Sequence, residues 1–139
     1  MKYSKSLLTV SAALVGMVLA LNLNINAQSL GMRVNIPFEF HVGDKALPAG
    51  TYTVERRGEA LVISDARGNG AAVLANAIEN KSFKRDNWVV FRGYGDQHFL
   101  SEVRWSEYST ARGLMETKAE RALASNMPSE TVKLAAIIR

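Results

Sequence analysis

A strict alternation of apolar and polar side chains begins at Met32 and continues to residue 42. Successive side chains of a β-strand point to opposite faces, so this pattern predicts a strand with one face on a core and the other in water. Pro37 falls between two apolar positions, and because proline has no N–H to donate, we expect an edge or a bulge there. The apolar positions are Val34, Ile36, Phe38, Phe40 and Val42.

Turn residues divide the next part of the chain into further short strands. Residues 43–50 are typical of a loop, and a strand resumes over 51–55. The pair Asn69-Gly70 is a strong hairpin signal between a short strand at 61–64 and residues 71–78. Residues 71–78 fit both a strand face and helical spacing, and we favour a strand because the hairpin turn precedes them and Val73 is β-branched. We therefore expect short strands joined mostly by tight turns in this half of the chain.

Residues 88–91 are aromatic or β-branched throughout, which is typical of a central strand. The glycine-rich segment 93–96 predicts a hairpin turn, and a strand follows over 99–105. One face of that strand is predicted to carry Phe99, Ser101, Val103 and Trp105, and the other His98, Leu100, Glu102 and Arg104.

The pattern changes after residue 105. Residues 106–113 are polar and predict a connection. Thr117 followed by Glu120 matches a capping box, which predicts a short helix to about Ser125. Residues 131–139 alternate weakly and favour a last strand, with a terminal helix as the alternative. The predicted apolar side of the helix is Ala119, Ala122 and Leu123.

Six or seven short strands and one late helix predict an all-β, mainly antiparallel fold, either a small sandwich or a small barrel. Residues 28–139 are long enough for one domain with its own core. We expect a single β-rich domain over this range.

The N-terminus has the features of a secretory signal. Lys2 and Lys5 precede an uncharged apolar run over 6–23, and Ala27 supplies a small residue for cleavage. We predict a signal peptide at 1–27 and an exported protein, periplasmic or extracellular, with no stable membrane span after cleavage. The alternative is an uncleaved anchor, but the run is near the lower end of the roughly 17–25 residues that span a bilayer.

The cysteine content and the net charge limit the cellular compartment and the kind of partner that we expect. The chain has no cysteine, so packing alone must hold an exported domain together, which suits a bacterial envelope. The formal net charge of +4 becomes +2 when Lys2 and Lys5 are removed with the signal. No basic block or stripe is present, so we expect no nucleic-acid partner.

The segment IPFEFHVGDKALPAGTYTV, together with the later segments FLSEVRW and KAERALA, resembles a family of small exported bacterial proteins without assigned function. The shared motif is an IPFxFxVG strand followed by LPAGxYxV. The resemblance covers most of residues 28–139. It implies export and a β-rich fold, and it brings no activity, cofactor or catalytic residue.

The residues offer little for catalysis. The chain has two histidines, His41 and His98, both on predicted polar strand faces. Asp96, His98 and Glu102 would converge if the hairpin brought them together, but their spacing matches no standard metal motif. No Gly-x-Ser-x-Gly elbow is present. We therefore predict no catalytic residue, no metal site and no cofactor, and an enzyme is the least favoured function.

Aromatic side chains near turns are the remaining candidates for binding. Tyr94, Trp105 and Tyr108 lie at predicted turns or strand ends, where exposed rings at a barrel mouth suit a sugar, lipid or peptide. With His98 they form the candidate ligand-binding set. The favoured hypothesis is an exported non-enzymatic β-domain that binds an envelope protein or polymer. The alternative is a small-ligand carrier with a barrel cavity.

Overall fold

The computed structural model describes residues 31–79 and 86–138. The predicted signal peptide, 1–27, and most of the connection between residues 79 and 87 lie outside this part of the chain. The described residues form β1 (Gly31–Ile36), β2 (Phe40–Val42), β3 (Lys45–Leu47), β4 (Gly50–Arg57), β5 (Ala60–Ser64), β6 (Gly70–Leu74), β7 (Asn76–Glu79), β8 (Trp88–Tyr94), β9 (Gln97–Arg104), β10 (Thr110–Gly113), α1 (Lys118–Ala124), β11 (Glu130–Ala135) and β12 (Ile137–Ile138).

The strands form two sheets, which confirms the predicted all-β, mainly antiparallel sandwich. The five-stranded sheet has the order β12-β1-β4-β5-β6, and the seven-stranded sheet has the order β11-β8-β9-β10-β7, with β2 paired to β9 and β3 to β2. All pairs are antiparallel except β2 and β9, which meet in parallel at His41 and Phe99. The sheets do not close into a barrel, which was the alternative architecture.

Three segments predicted as single strands pass from one sheet to the other. The breaks fall at residues 37–39, at Ala75 and at Ala136. Strands that switch sheets form the corners of such sandwiches. Ala75 N–H donates to the carbonyl of Glu59 at 2.9 Å, and Ala136 N–H donates to that of Asn87 at 3.0 Å, so backbone donors released at two corners find acceptors. The tail is strand, as favoured, and not helix.

The Asn-Gly hairpin is present, but its turn differs from the prediction. The loop between β5 and β6 has five residues, 65–69, and the positive φ of +84° belongs to Gly68. The Asp65 carboxylate accepts hydrogen bonds from the N–H groups of Arg67 and Asn69, both at 2.9 Å. Gly70 lies in β6, where an added Cβ would stand 1.8 Å from the carbonyl oxygen of Ile63. Glycine is needed there for close approach of the backbones.

A β-bulge separates the two halves of the β8–β9 hairpin. Glu102 lies opposite Val90 and Leu100 lies opposite Phe91, so Ser101 is the extra residue. The Ser101 hydroxyl donates to the Val90 carbonyl at 3.1 Å. A one-residue slip moves the following side chains to the other face of a sheet.

The predicted faces of β9 are therefore wrong on the turn side of the bulge. His98 lies opposite Gly93 and shares the core face with Leu100. Phe99 lies opposite Arg92 on the outer face of the seven-stranded sheet. The sequence alone had placed Phe99 on the same face as Val103.

Two short strands lie in segments predicted as loops. β3 falls within residues 43–50 and forms a hairpin with β2. β10 falls within residues 106–113 and pairs with both β7 and β9. Neither strand has more than four residues, and β10 carries the buried Arg112 and two small residues, so neither shows an apolar alternation.

Large side chains fill the space between the sheets. Trp105, Phe40, Phe91 and Met32 are each 0 % exposed. The ring of Phe40 meets those of Tyr52 and Phe91 edge to face, with centroids 5.1 and 5.5 Å apart. Burial of each such side chain stabilises the fold by roughly 1.5–3 kcal/mol.

Helix α1 begins where the capping box predicts, since the Thr117 hydroxyl accepts a hydrogen bond from the Glu120 N–H at 3.1 Å. Its predicted apolar side is wrong. Ala119 and Ala122 are exposed and Leu123 is half-buried, whereas Glu120 is only 1 % exposed. The carboxylate is held by polar groups of β8, so it is the charged residue that packs on the sheet. No helix in the described ranges is long and apolar enough to span a bilayer.

Candidate functional site

The four residues that the sequence singled out do not meet in one place. Tyr94 and Trp105 lie at opposite ends of β8. Tyr94 is the last residue of this strand, whereas Trp105 comes directly after Arg104, the partner of its first residue, Trp88. Six steps of about 3.3 Å separate the two ends of β8, or roughly 20 Å. Tyr94 is 3 % exposed and Trp105 is 0 % exposed, so the expectation of exposed rings is wrong for both.

Tyr108 is the exposed member of that set, at 37 %. The guanidinium of Arg56 lies 4.8 Å from the centroid of its ring, within the range of a cation–π contact. The ring also meets the indole of Trp105 edge to face, with centroids 6.1 Å apart. Tyr108 thus packs over the buried indole at one end of the sandwich.

Both histidines stack on phenylalanine rings. His98 lies 3.9 Å from Phe38 with the rings 18° from parallel, and its Nδ1 is buried without a hydrogen-bond partner. His41 lies 4.6 Å from Phe99 with the rings at 15°. Each half-buried imidazole therefore packs against a phenyl ring, and the two histidines do not converge on a common point.

The suggested convergence of Asp96, His98 and Glu102 does not occur. The bulge turns His98 toward the core, whereas Glu102 remains on the outer face and is paired with Arg104. Within residues 31–79 and 86–138 no three His, Asp or Glu side chains come together in a way that would hold a metal ion.

A cluster that sequence reasoning missed lies on the outer face of the seven-stranded sheet. We call Arg92, Tyr94 and Glu120 the Arg92 cluster. Arg92 Nε donates to Glu120 Oε1 at 2.5 Å and Nη2 donates to Oε2 at 3.3 Å, while the Tyr94 hydroxyl donates to Oε1 at 3.3 Å. Three donors therefore converge on one carboxylate.

Electrostatics within the Arg92 cluster follow from burial and proximity. The hydrogen bond to Glu120 is the largest influence on Arg92 and raises the pKa of its guanidinium. Burial, followed by the Glu120 charge, raises the pKa of the Tyr94 phenol. Both residues therefore stay protonated over the neutral range, as donors to a carboxylate must. The available sequence signal was Arg92 itself, a charge inside an otherwise apolar strand.

An open groove of about 270 Å³ adjoins the cluster and has Arg92 in its wall. Met115 at its rim is 77 % exposed, whereas Leu114 is buried. The groove therefore offers apolar contact beside a cation. Its lining residues are Asn76, Ile78, Arg92, Ser101, Glu102, Gly113, Leu114 and Met115.

A second groove, with a volume of about 410 Å³, lies on the outer face of the five-stranded sheet. We call it the Arg33 groove. At its centre, Thr53 of β4 lies opposite Arg33 of β1 on one side and opposite Ser64 of β5 on the other. The groove is lined by Arg33, Thr51, Thr53, Glu55, Ser64, Asp65 and Ala66.

The two carboxylates of the Arg33 groove have partners within the described structure, whereas the guanidinium of Arg33 has no ion-pair partner there. Glu55 is paired with Arg57 at 2.9 Å, and Asp65 accepts two backbone hydrogen bonds. Arg33 is exposed, and among the residues that the structure describes no carboxylate lies within ion-pairing distance of it. Within the described part of the chain, the groove therefore presents a cation without an ion-pair partner beside threonine and serine hydroxyls.

A second concavity of about 260 Å³ continues the Arg33 groove, because Thr51, Asp65 and Ala66 line both. Its far wall is the segment 48–52, Pro-Ala-Gly-Thr-Tyr. The Tyr52 hydroxyl donates to the Pro48 carbonyl at 2.6 Å and fixes this wall. Comparison of the chain with family models, with curated proteins and with solved structures found no match.

Proposed function

We propose that this protein is an exported, non-enzymatic binding domain of the bacterial envelope, and that the Arg33 groove holds a polar polymer bearing anionic groups. Export is inferred from Lys2, Lys5, the apolar run and Ala27. The observation that supports the binding role is Arg33, an exposed residue of this groove whose guanidinium has no ion-pair partner among the described residues.

The groove suits such a ligand in shape and chemistry. Three strands, β1, β4 and β5, form its floor, so the groups on it are held in fixed positions. Threonine and serine hydroxyls donate and accept hydrogen bonds, and a guanidinium binds carboxylate or phosphate through two parallel hydrogen bonds. An extended chain fits the continuation of the groove toward residues 48–52 better than a compact ligand does.

The interior argues against the carrier alternative. That alternative requires a barrel cavity, whereas the two sheets stay open and the space between them contains Trp105, Phe40 and Phe91, each 0 % exposed. A buried ligand would have to displace these side chains. The outer face of the five-stranded sheet is therefore favoured over the interior as the place of binding.

Co-sedimentation with isolated peptidoglycan, a carboxylate-bearing envelope polymer, tests the proposal. The 28–139 protein should pellet with the polymer, and Arg33→Glu should lower the bound fraction at least about tenfold, as loss of a charge-assisted bidentate contact predicts. Arg121→Glu, on the exposed side of α1, makes the same change in net charge and should bind as the wild type does. Equal binding by the two variants, or no wild-type binding, would overturn the proposal.

A further inference from the structure

Helix α1 is attached to the sheet through a charged side chain. Glu120 is its one buried residue, and the helix has only seven residues. Isolated helices this short are not stable in water, so contacts with the sheet must hold α1 in place. One of these contacts is the set of hydrogen bonds that Glu120 accepts from Arg92 and Tyr94.

The side chains that bind the Glu120 carboxylate, Arg92 and Tyr94, belong to the sheet and not to the helix. Arg92 and Tyr94 are two positions apart on β8 and so share a face. β8 is paired with β9 on one side and β11 on the other over most of its length, so its backbone is fixed from both edges. The backbone that carries both donors therefore does not depend on Glu120.

Space for a larger ligand adjoins Arg92. Arg92 lines the open groove of about 270 Å³, and Ile78, Leu114 and Met115 supply apolar contacts along it. A carboxylate that reached Arg92 through this groove would bring its carbon chain against those side chains. The groove lies on the opposite sheet from the Arg33 groove, so the two sites are independent.

We propose that Arg92 and Tyr94 form a carboxylate-binding site that Glu120 occupies as an internal ligand, and that an external carboxylate with an apolar chain displaces it. The tethered Glu120 competes at a high effective concentration, so the wild type binds a free carboxylate weakly. Release of Glu120 detaches α1 from the sheet.

The test removes the internal ligand and supplies an external one. Glu120→Ala leaves a carboxylate-sized gap, so acetate and hexanoate should raise its melting temperature, whereas chloride at equal ionic strength should not. At ten times the dissociation constant, the ligand should raise the folded-to-unfolded ratio about tenfold. Hexanoate should bind more tightly than acetate because its chain reaches the groove.

Two matched variants separate the site from a general salt effect. Glu120→Gln fills the gap, and Glu120→Ala combined with Arg92→Gln removes the main donor, so neither should respond to acetate. If Glu120→Ala folds only when acetate is present, the proposal is supported. If it folds in neither salt, or folds and does not respond to either carboxylate, the proposal is wrong. An equal response to acetate and hexanoate would remove the groove from the site.

Discussion

Arg112 donates from Nη1 to the carbonyl of Ala75 at 3.2 Å and so bridges the corner where β6 becomes β7. Its Nη2 donates to the carbonyl of Gly58, also at 3.2 Å, in the turn between β4 and β5. The side chain is buried at 7 % exposed, and no acidic partner pairs with it in the described residues. A single guanidinium therefore links the two sheets by satisfying backbone carbonyls.

We expect Arg112→Met to lower the free energy of unfolding by about 2 kcal/mol, because the buried carbonyl of Ala75 and the more exposed carbonyl of Gly58 both lose their donor. Urea denaturation measures the change. Arg121→Met, on the exposed side of α1, should stay within about 0.5 kcal/mol of the wild type. Equal effects of the two substitutions would show that Arg112 does not join the sheets.

Gly70→Ala should destabilise the domain by about 3 kcal/mol or more, since the added Cβ would meet the Ile63 backbone at 1.8 Å. The control is Gly68→Ala, two residues away. Gly68 has a positive φ but open space around it, so alanine should cost only about 1–2 kcal/mol. Thermal unfolding of both variants compares them, and a smaller loss at Gly70 would contradict the close approach of β5 and β6.

The ion pair of the Arg92 cluster should contribute far more than an exposed one. Glu120→Gln is expected to cost about 3 kcal/mol, because Arg92 is left with a partly buried charge. A double-mutant cycle with Arg92→Met should give a coupling energy of about 1–3 kcal/mol. The matched pair Glu55 and Arg57, with Arg57 64 % exposed, should give only about 0.2–1 kcal/mol. Similar coupling in both cycles would argue against the role of Glu120 in holding α1.

The raised pKa of Tyr94 predicts that the free energy of unfolding decreases at alkaline pH. Burial raises its pKa in the folded protein above the ordinary value of about 10, so the folded state keeps the proton longer than the unfolded state. Stability is therefore full below about pH 10 and falls as the pH rises through the folded-state pKa. Tyr94→Phe should make this fall shallower between pH 9 and 11, as followed by urea denaturation. Tyr52, whose pKa burial also raises, leaves a residual slope. An unchanged slope in Tyr94→Phe would contradict the prediction.

Sequence alternation predicted which side chains are buried better than it predicted where strands end. Val34, Ile36, Phe40 and Val42 are all buried, although the chain changes sheets between Ile36 and Phe40. The period of two survives the corner because both sheets face the same core. The corner itself has no local signal beyond Pro37, since the sheet that a strand joins is decided by distant partners.

The β-bulge and the Arg92 cluster could not be predicted from neighbouring residues in the sequence, because both depend on distant parts of the chain. The extra residue Ser101 is defined only by its pairing with β8, so the sequence of β9 alone gave the wrong faces beyond it. Glu120 was recognised as a capping residue, but its burial depends on Arg92, 28 positions earlier. Contacts between distant charged residues leave no periodic pattern.

We propose that the mature protein is an exported domain that binds an envelope component through the Arg33 groove. A native mass spectrum of the protein purified from the envelope of the cells that make it tests this most directly. The account predicts a chain that begins at Gln28 and carries additional mass, which disappears on denaturation and is absent from Arg33→Glu. A chain that begins at Met1, or a bare monomer in both proteins, would contradict it.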